Sequence, residues 1–347
     1  MPTTKPPPAR RRRPLAPVLA VTLPPILALL LLSAPTTAVA SLLNIAWDND
    51  LFTGEDKGYT NGVRISYLSN AAERNDTCRL CLPRRARDSF GWLPGIGHPD
   101  RDHALSLSLV QLMVTPEDIE AEAPQFDDIP YVGLAALETT LFSWDRQQLV
   151  GYGLAVGHTG SDSGAQRSQE WVHQVTGSAD PNGWDNQLGP DLVGGVHALY
   201  ANRFYSSGSN GFQNEFVWSA GARLNSFITS AETGLFWRMG HNLPGNFVPE
   251  YAGLSSTIGL PGLLDIPGRG WSIFAGLIGE GIAYNYIEDR GSDYAFRQRH
   301  FIGGLSLGGS LHTESFQLAL TLRATSSQQE TNKDPMSFGT LSFTWRL

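Results

Sequence analysis

Asn49 and Asp50 stand together at the end of a short apolar stretch, and an amide beside a carboxylate gathers oxygen ligands in one place. Just beyond them Tyr59-Thr60-Asn61-Gly62 opens an alternating run. Val63, Ile65 and Tyr67 oppose Arg64 and Ser66, which reads as a returning strand. The pair therefore belongs at the mouth of a hairpin. A second constellation lies in Ala165-Gln-Arg-Ser-Gln-Glu-Trp-Val-His-Gln-Val-Thr-Gly177, whose residues favour a helix with Gly177 at its end. Gln166, Gln169 and His173 fall at i, i+3 and i+7, on one helical face. Gly183-Trp184-Asp185-Asn186-Gln187 follows and leads into another alternating run. Polar groups at a hairpin mouth, with a proton-exchanging histidine on a nearby helix, suggest an active site rather than a plain pore.

The elements that must position these groups are strands. Leu105, Leu107 and Leu109 alternate with Ser106 and Ser108; Phe216, Trp218, Ala220, Ala222 and Leu224 alternate with Glu215, Val217, Ser219, Gly221 and Arg223. The same period recurs in Leu305 to Leu311 and Phe316 to Arg323. One face is apolar, with aromatics near the ends, and the other is rich in Gly, Ser and Arg. That division suits an apolar face toward lipid and a polar face toward a lumen, in a sheet closed on itself so that every backbone group is paired. The fold class expected is all-β, a closed antiparallel transmembrane β-barrel. Its strands are placed near 41–50, 59–69, 103–114, 131–145, 148–159, 191–206, 212–225, 228–240, 269–288, 297–312, 314–326 and 336–347, an even number as bacterial barrels require. The segments 51–58, 115–130, 160–190, 207–211, 241–268 and 327–335 are assigned to the extracellular rim, and the helix near His173 lies in one of them.

Residues 1–40 read as an export signal, leaving 41–347 as the barrel. Lys5 and Arg10 to Arg13 form a basic start, Ile26 to Leu32 an apolar centre, and Ala38-Val39-Ala40 a small-residue cleavage pattern. Pro14, Pro17, Pro24 and Pro25 argue against the rival reading, a membrane anchor. Cleavage removes five basic residues and no acidic ones. Lys+Arg falls from 25 to 20 against 33 Asp+Glu, a net charge of −13, which disfavours nucleic acid as a partner. Cys78 and Cys81 form a lone CxxC, open to a redox motif, half a zinc site or a local disulfide; for an exported protein a structural disulfide is the plainest of the three.

The pieces Asn49-Asp50, Asp56-x-Gly58-Tyr59-Thr60-x-Gly62, Thr115-Pro116-Glu117-Asp118, Gln169-x-x-x-His173, Gly183-Trp184-Asp185-Asn186-Gln187 and Met239-Gly240-His241-Asn242-Leu243-Pro244 occur in this order. As an ordered set they resemble the lipid A 3′-O-deacylase family of outer-membrane barrels, over nearly all of residues 41–347. The resemblance implies a twelve-stranded barrel in the outer membrane of a Gram-negative bacterium. It implies calcium-assisted hydrolysis of an acyl ester of lipopolysaccharide in the outer leaflet, with His173 as the catalytic base, supported by Gln169 and Thr60. Asn49, Asp50 and the Gly58 carbonyl would hold the Ca2+. Those residue types suit the chemistry: calcium takes amide, carboxylate and carbonyl oxygens, and a neutral imidazole takes a proton from water. The last strand, in which Leu341, Phe343, Trp345 and Leu347 alternate with polar residues, resembles the signal read by the barrel-assembly machinery. The usual terminal aromatic is replaced by Leu347.

The sequence departs from the family pattern where positive charge would meet the lipid's phosphates. Ile119-Glu-Ala-Glu-Ala-Pro124 has no lysine, and Asp128-Ile129-Pro130 has no arginine before its proline. Both departures bear on which lipid is cleaved. Two rival functions stand beside deacylation of lipid A: a channel or structural barrel, and a phospholipase acting on another lipid. A serine-type phospholipase would need a wall-facing serine paired with a histidine, and no such ordered pair is found. Barrels of this kind can act as monomers.

Overall fold

Twelve strands form: β1 (Leu42–Asn49), β2 (Gly58–Leu68), β3 (Asp102–Thr115), β4 (Val132–Trp144), β5 (Gln148–Thr159), β6 (Leu192–Ser209), β7 (Phe212–Asn225), β8 (Ile228–His241), β9 (Gly270–Asn285), β10 (Phe301–His312), β11 (Phe316–Thr325) and β12 (Met336–Arg346). The computed structural model describes residues 41–49, 58–69, 82–98, 100–245, 268–331 and 335–347. Each strand pairs antiparallel with its neighbours in sequence, and β1 closes on β12 from Leu42↔Arg346 to Asn49↔Gly339. The backbone therefore has no open edge, the condition for crossing a bilayer with strands. The export-signal segment 1–40, Asp50 and both cysteines lie outside the described residues.

The period-two expectation holds for the outward face. Leu107, Leu109, Leu137, Leu154, Val156, Leu277, Leu305 and Leu307 are exposed on it. In water such a belt would be costly; each leucine moved into hydrocarbon contributes roughly 1.5–3 kcal/mol. The inward face is fuller than a polar lumen. Arg64 pairs with Glu138 at 2.6 Å, Arg238 donates to Glu215 at 2.6 Å, and Thr340 donates to Asp48 at 2.6 Å while accepting from Arg323 at 2.9 Å. Toward the base, where Leu347 N–H donates to the Ser41 carbonyl, Leu42, Leu68, Phe142 and Trp144 join an apolar column that also holds Phe236. The small inward residues make room for these rings; a Cβ on Gly276 would come within 2.4 Å of Phe236.

Two expectations are corrected. The β6–β7 and β8–β9 connections, assigned above to the rim through 207–211 and 241–268, leave from the base. There Asn242 N–H donates to the Gly211 carbonyl at 2.8 Å, and the Asn242 carbonyl bonds the His312 ring at 2.9 Å. Strict alternation of antiparallel strands requires this, and it gives the rim to 226–227 and 286–300 instead. Two helices also appear where none was expected: α1 (Leu82–Phe90), and α3 (Tyr286–Arg290) in the stretch read as the end of strand nine. Asn285 caps α3, its side chain accepting from Ile287 N–H. Tyr286, Ile287, Phe296, Ile129 and Val132 then cluster as an apolar cork at the rim end of the lumen.

Candidate active site on the outer wall

The expected rim helix forms as α2 (Ala165–Thr176) and ends at Gly177, whose φ of 73° is open to glycine at little cost. The N–H groups of Gly177 and Ser178 both donate to the His173 carbonyl, at 2.8 and 3.1 Å. This turn brings the chain back, and His173 Nδ1 lies 2.5 Å from the Ala179 carbonyl. A carbonyl only accepts, so Nδ1 carries the proton and Nε2 becomes the basic nitrogen. The ring is half-buried, within reach of solvent or substrate.

One turn earlier, Gln169 is only 2% exposed. Its Oε1 accepts from Trp184 Nε1 at 2.7 Å, which fixes which end of the amide points where. Nε2 is buried and has no hydrogen-bond partner among the described residues. An orphaned buried donor costs about 1–3 kcal/mol, so an oxygen that met it would be bound favourably. Trp184 itself is fully buried with Met113, Tyr131 and Ala165, its ring 4.9 Å from that of Tyr131. Tyr131 donates to the Ile119 carbonyl at 2.9 Å, and burial above all pushes its phenol up to about 12. It stays a donor across any ordinary pH range. The Gly-Trp-Asp-Asn-Gln motif thus anchors the helix: a Cβ on Gly183 would meet Tyr131 at 2.4 Å, and Asn186 Nδ2 donates to the Glu122 carbonyl at 2.7 Å.

Register ties this assembly to the hairpin mouth. Asn49 pairs with Asn61, Asn61 with Met113, and Met113 with Gly133, one row across β1 to β4. Gly133 and Met113 share the outward face with exposed Leu137 and Leu109, so the row lies on the outer wall. Ala165 sits directly on it, since a Cβ on Gly133 would meet the Ala165 Cβ at 2.7 Å. The 3-10 turn Ser161–Ser163 lies against β5 and β4, and α2 against β4 and β3, so the chain advances along the wall toward β1. Gln111 Nε2 holds the turn, donating to the Ser163 carbonyl at 2.8 Å.

Among the expected site residues, Asn49 is buried at the outer end of β1, and Trp47 Nε1 donates to the neighbouring Asn61 Oδ1 at 3.0 Å. Gly58 opens β2. Thr60 is the extra residue of a β-bulge, because Tyr59 pairs with Val114 while Asn61 pairs with Met113. Bulges re-aim residues beside functional sites. Gln169 and His173 share α2. Tyr131, Met113 and Gln111 had no assigned role in the sequence, and Trp184 stood there only as part of its motif and as a packing or interfacial residue; the small residues Gly133 and Gly183 were the available sign that two segments touch there.

A family model for the outer membrane protein LpxR matches residues 23–347. Among solved structures, LpxR from Salmonella typhimurium superposes with a TM-score of 0.69 at 16% identity, covering 88% of this chain and 100% of that one. The β domain of the Bordetella autotransporter BrkA gives a TM-score of 0.44 at 10% identity, covering 90% and 100%. No curated protein matches. The family match begins ahead of β1 and runs through all twelve strands and α2, and the chain belongs to the outer membrane protein LpxR family.

Proposed function

We propose that this barrel is an outer-membrane esterase that removes an ester-linked acyl chain, the 3′-acyloxyacyl group, from lipid A of lipopolysaccharide. The observation that carries the reading is the single outward row from Asn49 to Gly133, with the helix of Gln169 and His173 seated on its far end. Strands lie about 4.8 Å apart, so the row spans about 14 Å. His173 stands about 12 Å along the helix axis from Ala165. The helix lies against β4 and β3, and the proposed chemistry requires its imidazole to reach toward Asn49 and Thr60. The site faces the membrane's own lipids, so a substrate anchored in the outer leaflet reaches it without entering the lumen.

His173 Nε2 takes a proton from water as the water oxygen bonds to the ester carbonyl carbon. Gln169 Nε2 donates to an oxygen of the reacting group, and Thr60 orients the attacking pair. When the tetrahedral adduct collapses, the carbon–oxygen bond to the lipid's hydroxyl breaks. The imidazolium returns the proton to that oxygen, leaving a free fatty acid and an alcohol. The oxygens that the sequence offers there, from the Asn49 amide, the Asp50 carboxylate and the Gly58 carbonyl, would suit calcium rather than a softer metal. A calcium ion held there would polarise the ester carbonyl.

A second reading, a phospholipase acting on another lipid, is favoured by the β3–β4 loop. It carries Glu117, Asp118, Glu120, Glu122, Asp127 and Asp128 and no basic residue, a poor surface for the phosphates of lipid A. Mass spectrometry decides. Purified barrel is incubated with lipid A and, separately, with phosphatidylethanolamine, with calcium or with chelator, as wild type and as His173→Ala. The expected result is loss of one acyloxyacyl group from lipid A only with calcium and intact His173. Cleavage of the phospholipid alone transfers the reading to the second substrate, and no cleavage of either sinks both.

A further inference from the structure

The segment 82–98, which holds α1, lies on the outward face of the barrel at its base. Leu141 and Val150 belong to the lipid-facing sides of β4 and β5, yet both are buried because Ile96 packs on them, with Ala86 and Leu93 at the margin. Polar bonds fix the segment: Tyr152 donates to the Pro94 carbonyl at 3.0 Å, Ser143 to the Gly95 carbonyl at 2.8 Å, and the His103 ring bonds the Ile96 carbonyl at 2.6 Å. This is a docked element, held at a set depth.

That depth can be read from the register. Leu105 pairs with Leu141, and two residues farther up β3 Leu107 begins the exposed leucine belt. From Leu105 to Met113, the row that carries the active site, the strand rises about 26 Å along its length. With a tilt of 35–45° this is about 20 Å in height, close to the apolar band of an outer-membrane barrel. The segment therefore sits where hydrocarbon gives way to headgroups, in the leaflet opposite the site.

Its side chains suit that place. Leu82, Phe90 and Trp92 are 63%, 47% and 77% exposed, next to Arg84, Arg85 and Arg87. Asp88 is the segment's sole carboxylate, 2.6 Å from Arg87 and 3.9 Å from Arg84, while Arg85 makes no ion pair among the described residues. Three arginines against one aspartate give a net charge of +2 in a chain whose overall charge is −8. A lone exposed tryptophan is unremarkable; one flanked by apolar residues and arginines, at headgroup level, is the pattern of an interfacial anchor.

We infer that 82–98 is a binding surface for anionic glycerophospholipid headgroups of the leaflet at the barrel's base. Arg84, Arg85 and Arg87 meet the phosphates, and Leu82, Phe90 and Trp92 enter the acyl boundary. The surface is separate from the ester-cleaving site and fixes the barrel's depth in the membrane. Native mass spectrometry tests it, on the full barrel exchanged into micelles holding equal amounts of dioleoyl phosphatidylglycerol and dioleoyl phosphatidylcholine. The wild type is expected to retain phosphatidylglycerol with an enrichment of about thirtyfold, the scale set by two net charges at an anionic surface. Arg84→Gln/Arg85→Gln/Arg87→Gln, still heat-modifiable on gels, is expected to retain both lipids equally. Should that variant not fold, Arg85→Gln alone is read for a smaller drop. Equal retention by the wild type overturns the inference and leaves the face to a protein partner. Undiminished enrichment in the folded variant overturns it too, by placing the anionic lipid elsewhere.

Discussion

Trp184 holds Gln169 by one hydrogen bond of 2.7 Å, and the consequence reaches the next turn of the helix. With Oε1 committed to the indole, the buried Nε2 is aimed rather than free to flip, and a donor fixed before substrate arrives needs no reorganisation during reaction. Trp184→Phe keeps the ring that packs on Tyr131 and Met113 but removes the N–H. The expected outcome is a fall in kcat of about tenfold to a hundredfold, with KM and the melting temperature moved little, because the loss is of aim rather than of packing. Steady-state kinetics on the acyl ester, beside a thermal melt, separates the two. If kcat is unchanged, the orientation of Gln169 is irrelevant to the chemistry. His173 is aimed in the same manner by the Ala179 carbonyl, a backbone partner that no side-chain motif reveals.

At the scale of elements, the site is made by two small-residue approaches that let a rim helix lie on a barrel wall. Gly133 admits Ala165, and Gly183 admits the Tyr131 ring. Gly183→Val forces Tyr131 or the Ala121 carbonyl to move, and Trp184 with them. The cost of about 1–3 kcal/mol falls on the rim, not on the strands. Trypsin should then cut faster after the exposed Arg167 of α2, with far-ultraviolet dichroism unchanged; cleavage at the wild-type rate would show that the motif does not anchor the helix. Much of the frame was legible beforehand. The strands at 148–159 and 212–225 match the observed β5 and β7 residue for residue, since unbroken alternation meets turn residues at Asp145 and Gly211. Gly177 was legible as a helix end because few other residues take a positive φ there at little cost. The helix α3 was not, for five residues following a strand barely interrupt its alternation. The Asn49–Gly133 row was also hidden, because period two tells which way a side chain points but not which residue stands opposite it on another strand.

Taken whole, the molecule carries its candidate site on the outside and fills its inside. The cork of Tyr286, Ile287, Phe296, Ile129 and Val132 closes the rim end, and below it a cavity of about 210 Å³ is bounded by Arg64, Glu138, His197 and Arg323. Beneath it lie the Arg64–Glu138 pair and then the rings of Phe142 and Trp144. Buried ion pairs contribute little net stability against well-packed apolar residues, but breaking one strands a charge at about 3–5 kcal/mol. Such a network therefore resists the rearrangement that opening a pore would need. A channel reading requires ions to pass all three layers in the resting state. Wild-type barrel inserted in a planar bilayer is expected to show no steady conductance in molar salt, while insertion itself is confirmed by protease protection of the strands. Stable single-channel steps from the wild type would mean that the lumen conducts, and would return the channel to contention. Silence leaves the outer wall, with its helix and its row of polar residues, as the surface on which this family member acts.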